Sequence, residues 1–568
     1  MLDSPSPVSS VARPLRAGRP ALARRLRDLD ERWIVTGLIL TLLLIAMAPT
    51  AYGYLSSTPE RHFQGIVYGV ADTAQYFSWL RDHRTQWLVS NRMTPEANSP
   101  ALFNLLWLVV GRVQFATGLD TLALFHGVRV LAGAALLFAL YPLCALFTRG
   151  RAERLTAYLV ITLGSGLGWI WVVVKHLAGL PDVPFPFDLY VAEPNTLFIL
   201  AAFPHFTIAT TLIVGVFWCF LEALRKRGWR LVAAAALLGL TLTLQHAYDL
   251  LIITLVPAGA LALMLLRDRR IPWFGGSALL AIGLVALPPP LYFTWLTSRD
   301  PLWGEVLDQF SNAGVFTPPP HHLLILMGVP LVLVVAAIGV ALVRPERPLR
   351  QMLAAASDTD LFLWNWLGVG FGLLYIPTDF QIHMLNAWQI PVGLIAVRWL
   401  YRRSMPAAER WRLRLAHVLP ALLVAAVLPT SIYLISWRML DLGRQQAPFS
   451  LAADEVAALR WLGDAATRDD VVLGALTLGQ FVPVYSDART FLGHWAQTVR
   501  FYDKQGQVRF FFDPATPDAQ RRELLEQFAI TYVFYGEEER SIGGYDPGTS
   551  LFLEPAFTSG ATVVYRVR

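Results

Sequence analysis

Long apolar runs, separated at every second connection by arginine and lysine, constrain this sequence more than any other feature. A helix needs about 20 apolar residues to cross the hydrocarbon core of a bilayer. The stretch 231–266 divides at 245–249 into two shorter arms, and it must cross twice because both of its flanks are basic. The pattern predicts about eleven crossings, in runs at 33–54, 121–147, 155–175, 204–223, 231–266, 272–295, 321–343, 359–377, 387–401 and 413–437.

The distribution of charge predicts the orientation. Only 15% of the 568 residues are charged, whereas soluble domains average about 25%. The basic residues cluster at 149–154, 225–230, 267–270, 344–350 and 402–414, and such clusters stay on the cytoplasmic side. We therefore expect a cytoplasmic N-terminus, an extracytoplasmic C-terminus and membrane lipids around the spans. Because the net charge of +6 follows these connections, it does not indicate a nucleic-acid partner.

Three regions are predicted from the same pattern. Residues 1–32 form a basic cytoplasmic segment, residues 33–440 a bundle with a long first outer loop at 55–100, and residues 445–568 a soluble domain on the outer face. Helical and strand patterns interleave in the last region, which indicates a small α/β layer domain. Its predicted helices lie at 454–463 and 518–528, and its strands at 471–476, 489–492, 530–535 and 561–567, the last as an edge strand. The predicted fold class is a polytopic α-helical membrane protein with a small C-terminal α/β extracytoplasmic domain.

The first outer loop carries the strongest candidate for chemistry, Asp72, followed four residues later by Tyr76. A carboxylate at the mouth of a helical bundle can act as a general base if it reaches the proton that it removes. A structural alternative is an N-cap, with Gln75 three residues on completing a capping box. The two roles are compatible.

Glu193 and His205 lie at the outer ends of adjacent segments, where they could bind a metal, a phosphate or a sugar hydroxyl. The structural alternative is that Pro204 opens a helix and His205 is a polar residue of its first turn. His246 and Asp249 lie at the outer turn between the two short arms. Short, interrupted spans often mark binding sites, although such a turn can also satisfy its own polar groups.

Two further outer loops contribute weaker candidates. Gln381 and His383 follow the ninth span, and Arg299 lies in the loop 296–320, which has the features of a lid. The glycine-rich stretch 165–169 lies within a span and favours close helix packing.

Several chemistries have no motif in the sequence. There is no P-loop, no dinucleotide fingerprint, no His-Glu-x-x-His pair and no nucleophile elbow. The two cysteines, Cys144 and Cys219, lie in apolar runs and exclude a disulfide framework. Without an ATP site, a bond-forming reaction on the outer face needs an activated donor that is already in the membrane.

The layout, the motif Asp72-Thr73-Ala74-Gln75-Tyr76 and the C-terminal stretch 461–535 with Tyr532-Val533-Phe534-Tyr535-Gly536 resemble the GT-C superfamily of polytopic glycosyltransferases, in a divergent bacterial branch. Many members have an acidic pair where this chain has the single acid Asp72. The resemblance implies a polyprenyl-phosphate sugar donor, a lipid, glycan or protein acceptor, and a bacterial plasma membrane. It further implies that Asp72 acts as general base or positions the acceptor, and that His205, His246 or Arg299 neutralises the leaving phosphate. No cofactor is assigned, and a divalent metal is left open without a ligand set.

Two other functions are compatible with the sequence. A transporter or lipid flippase predicts a polar path that reaches both membrane faces, and a non-catalytic envelope assembly factor predicts no cavity. An enzyme predicts that Asp72, Glu193 and His246 converge on one outer cavity with a lateral opening to lipid.

Overall fold

The computed structural model of the protein describes residues 19–180, 186–311, 316–343, 348–410 and 418–568. Most of the predicted basic segment 1–32, namely residues 1–18, lies outside the described residues. The same is true of Asn312 in the predicted lid and of the basic residues Arg344, Arg347, Arg412 and Arg414.

Helices account for the first part of the chain, and their apolar side chains form one large core. The 3-10 turns Phe187–Leu189, Ala247–Asp249, Pro320–His322 and Gln381–Leu385 and the π-turn Leu400–Ser404 join some of them. The helices are α1 (Arg19–Ser56), α2 (Val70–His83), α3 (Leu105–Thr117), α4 (Thr121–Phe147), α5 (Arg151–Leu163), α6 (Gly168–Leu177), α7 (Thr196–Ala202), α8 (Pro204–Lys226), α9 (Trp229–Thr243), α10 (Leu250–Asp268), α11 (Trp273–Ala286), α12 (Pro288–Arg299), α13 (Pro301–Phe310), α14 (Leu323–Val343), α15 (Leu349–Ala355), α16 (Asp358–Leu373), α17 (Gln389–Trp399), α18 (Met405–Arg410), α19 (Leu419–Ala426) and α20 (Pro429–Gly443).

Six helical stretches of the described chain are long and apolar enough to cross a membrane: Glu31–Ser56, Thr121–Phe147, Pro204–Lys226, Ala247–Asp268, Pro320–Val343 and Leu419–Gly443. The number rises to eight if each of two bent pairs, α5 with α6 and α11 with α12, is one span. The helices α9, α16 and α17 coincide with the remaining predicted runs but are shorter. The count of about eleven therefore stays a prediction.

The glycine-rich stretch 165–169 breaks a span instead of continuing it. α5 and α6 meet at an angle of 46° across residues 164–167. The Asp188 carboxylate accepts a hydrogen bond from the Gly168 amide at 2.7 Å, and a Cβ at Gly166 or Gly168 would lie 2.3 Å from a carboxylate oxygen of Asp188. The glycines thus permit close approach, as expected, but their neighbour is a buried carboxylate.

The C-terminal residues form a five-stranded sheet with helices beside it. The parallel strands β4 (Arg489–Thr490), β3 (Val471–Leu473) and β5 (Tyr532–Tyr535) continue into the antiparallel strands β7 (Thr562–Val567) and β6 (Leu553–Ser559), in the order β4-β3-β5-β7-β6. The stretch expected to be an edge strand is β7, which lies between β5 and β6, because the unpredicted β6 pairs along its outer side. The elements are β1 (Arg61–Phe63), β2 (Ser450–Ala452), α21 (Ala453–Ala465), β3 (Val471–Leu473), α22 (Leu476–Gly479), α23 (Val482–Tyr485), β4 (Arg489–Thr490), α24 (Phe501–Phe512), α25 (Asp518–Gln527), β5 (Tyr532–Tyr535), α26 (Glu537–Ile542), a 3-10 turn at Pro547–Thr549, β6 (Leu553–Ser559) and β7 (Thr562–Val567).

The first loop of the bundle packs into this C-terminal region. β1 pairs with β2 in an antiparallel ribbon. Phe77 and Trp107, from α2 and α3, share one apolar core with Leu459 and Phe534. Ion pairs join the same two regions, among them Lys504 Nζ to Glu96 Oε1 at 2.6 Å. These contacts hold the N-terminal end of α2 over the end of the bundle.

Candidate active site

Asp72 is the third residue of α2 and is not its N-cap. Gly69 takes the N-cap position with a φ of 53°, in the left-handed region that favours glycine. The N-cap and capping-box interpretation of Asp72 and Gln75 is therefore wrong, because the helix starts three residues earlier than that interpretation requires. The Asp72 side chain remains 39% exposed, and the positive end of the α2 dipole stabilises a carboxylate there.

A histidine from the C-terminal region holds Asp72. Nε2 of His494 lies 3.1 Å from Asp72 Oδ1. Nδ1 of the same ring accepts hydrogen bonds from the backbone amides of Ala496 at 3.0 Å and Gln497 at 3.2 Å. Since Nδ1 is an acceptor, the ring hydrogen lies on Nε2, which donates to Asp72.

Asp72 opens onto a cavity of about 830 Å³, a volume typical of small-molecule sites. Its wall is built from α2, α3, the first turn of α8, the turn between α9 and α10, α12, the 381–385 turn and the 494–497 loop. Six of the residues predicted from sequence line it: Asp72, Tyr76, Glu193, His205, His246 and His383.

Tyr76 and His205 meet on one side of the cavity. Tyr76 Oη lies 3.4 Å from His205 Nε2, and the Tyr76 ring stacks on Trp107 with centroids 5.1 Å apart. Burial, followed by the charges of Asp72 and Glu193, raises the pKa of the Tyr76 phenol well above its ordinary value, so Tyr76 is a neutral hydroxyl. α8 begins at Pro204, as the structural alternative for His205 predicts, and this start directs His205 into the wall.

His383 lines the cavity beside Phe206, with ring centroids 5.9 Å apart. Its Nδ1 lies 2.6 Å from Glu193 Oε1, and its ring is held between the rings of Tyr248 and Phe310, at 5.2 and 5.7 Å. Nε2 of His383 is buried and has no hydrogen-bond partner. The pair is therefore fixed in orientation while one ring nitrogen is free to bind or exchange a proton.

His246 and Asp249 occupy the turn between α9 and α10. Nδ1 of His246 lies 3.4 Å from Asp249 Oδ2 but outside hydrogen-bonding geometry. Asp249 is fully buried behind the wall, where Asn386 donates to its Oδ2 at 3.2 Å. Asp249 thus lies beside His246 without lining the cavity.

Two predicted site residues are not part of this constellation. Arg299, at the end of α12, is exposed and does not line the cavity. Gln381 is half-buried, and its amide lies 3.5 Å from the Ile376 carbonyl. His494 and Trp495 also line the cavity and were not predicted from sequence; their one local signal is their position shortly after the predicted strand 489–492.

The charges in the wall limit what it can bind. Of the described lining residues, two are acids and four are histidines, and neither arginine nor lysine is among them. No three His, Cys, Asp or Glu side chains in the described chain are arranged to hold a metal ion, and Asp72 faces an imidazole N–H where a second acid would be needed. These residues do not fit a bound divalent metal.

Comparison with known proteins shows the fold. The oligosaccharyltransferase of Archaeoglobus fulgidus, solved with a tethered acceptor peptide, superimposes with a TM-score of 0.50 at 13% identity, over 88% of this chain and 69% of that one. ArnT from Cupriavidus metallidurans, bound to undecaprenyl phosphate, gives a TM-score of 0.46 at 14% identity, over 93% and 98% of the two chains. No protein-family model and no curated protein matches the sequence. The predicted GT-C architecture is confirmed as a fold, and the chain is an integral membrane protein.

Proposed function

We propose that this protein is a membrane glycosyltransferase that moves a sugar from a polyprenyl-phosphate donor to an acceptor on the extracytoplasmic face. The observation that carries the proposal is the accessible carboxylate of Asp72, held by His494 at the mouth of one large cavity. Glu193 and His246 line the same cavity, and this convergence favours an enzyme over a flippase or an assembly factor. The GT-C fold supports the same conclusion.

The topology that goes with this function has eleven crossings. α1, α4, α8, α9, α10, α14, α16 and α17 each cross once, and the pairs α5–α6, α11–α12 and α19–α20 each form one bent span. With the N-terminus in the cytoplasm, this count leaves residues 445–568 and the cavity outside. The basic connections 149–154, 225–230 and 402–414 then all lie inside, in agreement with the positive-inside rule.

The reaction is a displacement at the anomeric carbon. The acceptor hydroxyl gives its proton to Asp72, its oxygen bonds to the anomeric carbon, and the bond from that carbon to the phosphate oxygen breaks with inversion. The polyprenyl phosphate leaves with the bonding electron pair. Asp72 Oδ2 is the proton acceptor because Oδ1 already accepts from His494. Proton transfer of this kind contributes about 10²- to 10⁴-fold to rates.

The leaving phosphate is received by histidines. His205, His246 and His383 are buried lining residues, and each has a ring nitrogen without a hydrogen-bond partner. Imidazole N–H groups of this wall can donate hydrogen bonds to the oxygens of the leaving phosphate. Arg299, considered for this role from sequence, is exposed and outside the lining.

The same charges favour an uncharged or amino sugar over an acidic one. A sugar carboxylate would add a second anion beside Asp72 and Glu193, in a wall whose described residues include neither Lys nor Arg. A donor panel tests this preference: polyprenyl-phosphate glucose or glucosamine should be used at least ten times faster than the matching glucuronate. Faster use of the glucuronate would contradict it.

The lipid part of the donor enters through the α12 side. Phe293 and Thr297 of α12 line the cavity, whereas Leu291 and Trp295 of the same helix are more than half exposed. One helix therefore separates the cavity from surrounding lipid at this point.

The experiment that tests the function is transfer by the purified protein in lipid nanodiscs, scored by release of free polyprenyl phosphate. Asp72→Asn should reduce release by at least 100-fold while expression and thermal unfolding stay unchanged. Asp503→Asn, an exposed acid of α24, is the matched control and should transfer normally. Full release by the Asp72→Asn protein would remove Asp72 from the chemistry, and no release from any donor by the unmodified protein would overturn the proposal.

A further inference from the structure

The loop that carries His494 is among the most constrained segments of the C-terminal region. Thr498 Oγ1 accepts hydrogen bonds from the amides of Gly493 and His494, at 3.0 and 3.1 Å. Asn91, from the first loop of the bundle, donates to the Gln497 carbonyl at 2.8 Å. The loop is therefore held both by its own side chain and by the bundle, and it presents His494 in one position.

The ring of His494 is fixed in orientation as well as in position. Its side chain is 2% exposed, and Trp495 stacks on it with centroids 5.6 Å apart and an interplanar angle of 29°. The two backbone amides that point at Nδ1 select the tautomer with hydrogen on Nε2. The only freedom left to the ring is to donate that hydrogen to Asp72.

We propose that His494 is a positioning residue for Asp72, so that the C-terminal region completes the site. Its Nε2–H holds Oδ1 of Asp72 and leaves Oδ2 directed to the acceptor hydroxyl. This inference rests on the proposed glycosyl transfer and extends it by a residue that the GT-C likeness does not identify. His494 exchanges no proton with substrate in this role; it fixes the rotamer of a half-exposed carboxylate, whose side chain would otherwise lose conformational entropy on reaching the reactive geometry.

Two substitutions distinguish the contact of His494 with Asp72 from the contact of His494 with the backbone amides of its own loop. In His494→Asn the amide oxygen takes the place of Nδ1 and keeps the two backbone hydrogen bonds, but nothing reaches Asp72. In His494→Gln the longer amide places an N–H donor where Nε2 was. Both variants carry a neutral amide. His494→Asn keeps the contact with the two loop amides, and His494→Gln keeps the contact with Asp72.

The test is the kcat for transfer together with ¹⁵N NMR of the full-length protein labelled at histidine. We expect His494→Asn to lower kcat about 10- to 100-fold, the effect of losing a hydrogen bond to a charged group, with KM and thermal unfolding unchanged. His494→Gln should stay within about fivefold of the unmodified protein. Equal losses in the two variants, or a loss confined to KM, would overturn positioning and leave only a structural role.

The NMR measurement does not depend on turnover. His494 should give a protonated Nε2 and an unprotonated Nδ1, and Asp72→Asn should shift the Nε2 resonance while leaving Nδ1 in place. A hydrogen on Nδ1, or an Nε2 resonance that ignores Asp72→Asn, would disprove the pairing. If the unmodified protein transfers no sugar while the NMR result holds, the proposed reaction fails and the pairing stands.

Discussion

Glu193 Oε1 lies 2.6 Å from Nδ1 of His383, although the two residues are 190 positions apart in sequence. Both side chains are more than 90% buried. The contact joins the connection before α7 to the turn before α17 at the cavity wall. A buried carboxylate without a partner is costly, and each residue therefore depends on the other.

This dependence predicts a strong coupling between the two side chains. Glu193→Gln should lower transfer about 10- to 100-fold, because a neutral amide holds the His383 ring in orientation less strongly than the carboxylate does. Glu193→Gln combined with His383→Gln should cost little more than either change alone, since residues in one hydrogen-bonded pair are not additive. Transfer rates of the four proteins form the measurement. Glu526→Gln, on the exposed face of α25, is the control, and strictly additive losses would contradict the pairing.

Gly69 predicts a second loss, by steric means. A Cβ there would lie 2.7 Å from the Phe203 ring, on a backbone with φ of 53°. Gly69→Ala should therefore cost the left-handed penalty of about 1–2 kcal/mol and also displace Asp72. Gly118 has a φ of 69° with nothing within 4 Å of its Cβ position, so Gly118→Ala pays only the backbone penalty. Gly118→Ala should destabilise the protein no more than Gly69→Ala does, and transfer should be lost only in Gly69→Ala. Thermal unfolding and the transfer rate of each variant are the measurements.

Removal of divalent cations should leave transfer intact. In the described chain no three suitable side chains are arranged around a metal, and His494 occupies the position beside Asp72. Transfer after dialysis against EDTA, followed by assay with and without added Mg²⁺ or Mn²⁺, should differ by less than about twofold. A loss with EDTA that either cation restores would show that substrate supplies the missing ligands.

Stability should fall as pH rises from about 4 to about 7 because of Glu539. Its carboxylate accepts from the amides of Ala475 and Gly536, at 2.6 and 2.9 Å, and burial raises its pKa to about 7. A folded-state pKa above the ordinary value of about 4.3 means that the folded protein binds the proton more tightly. The stabilisation is therefore complete below about pH 4 and is lost as pH rises to about 7.

Glu539→Gln isolates this effect. About 2.5 pKa units correspond to roughly 3 kcal/mol, so unfolding midpoints measured between pH 5 and pH 8 should change less in Glu539→Gln than in the unmodified protein. Glu523→Gln, an exposed acid of α25, should keep the original slope. An unchanged slope in Glu539→Gln would assign the pH dependence to other groups.

Local sequence patterns predicted the structural features that depend on residues close together in the chain. Apolar length located the helices, and the interrupted stretch 231–266 placed His246 at a cavity because short arms cannot bury their own turn. The helix α21 and the strands β3 and β5 lie within or beside the predicted ranges. Asp72 was predicted as a site residue from its charge and its position shortly after the first span, and it is the most exposed acid of the site.

Features set by distant residues were not predictable in this way. The N-cap of α2 is Gly69, and the close approach of Phe203 to that glycine involves a residue more than 130 positions away, which the loop's own pattern does not indicate. β7 is internal because β6, with its Pro555 bulge, pairs outside it. His494 reaches Asp72 across 422 positions, and a single histidine after a strand carries no sign of such a partner.

The shared core of the first loop and the C-terminal region has a consequence for biosynthesis. α2 is translated before the loop that carries His494, which lies 422 positions after Asp72 in sequence. During the interval Asp72 lacks the hydrogen bond that directs it. The geometry around Asp72 is therefore completed only when the C-terminal region has packed onto the first loop of the bundle.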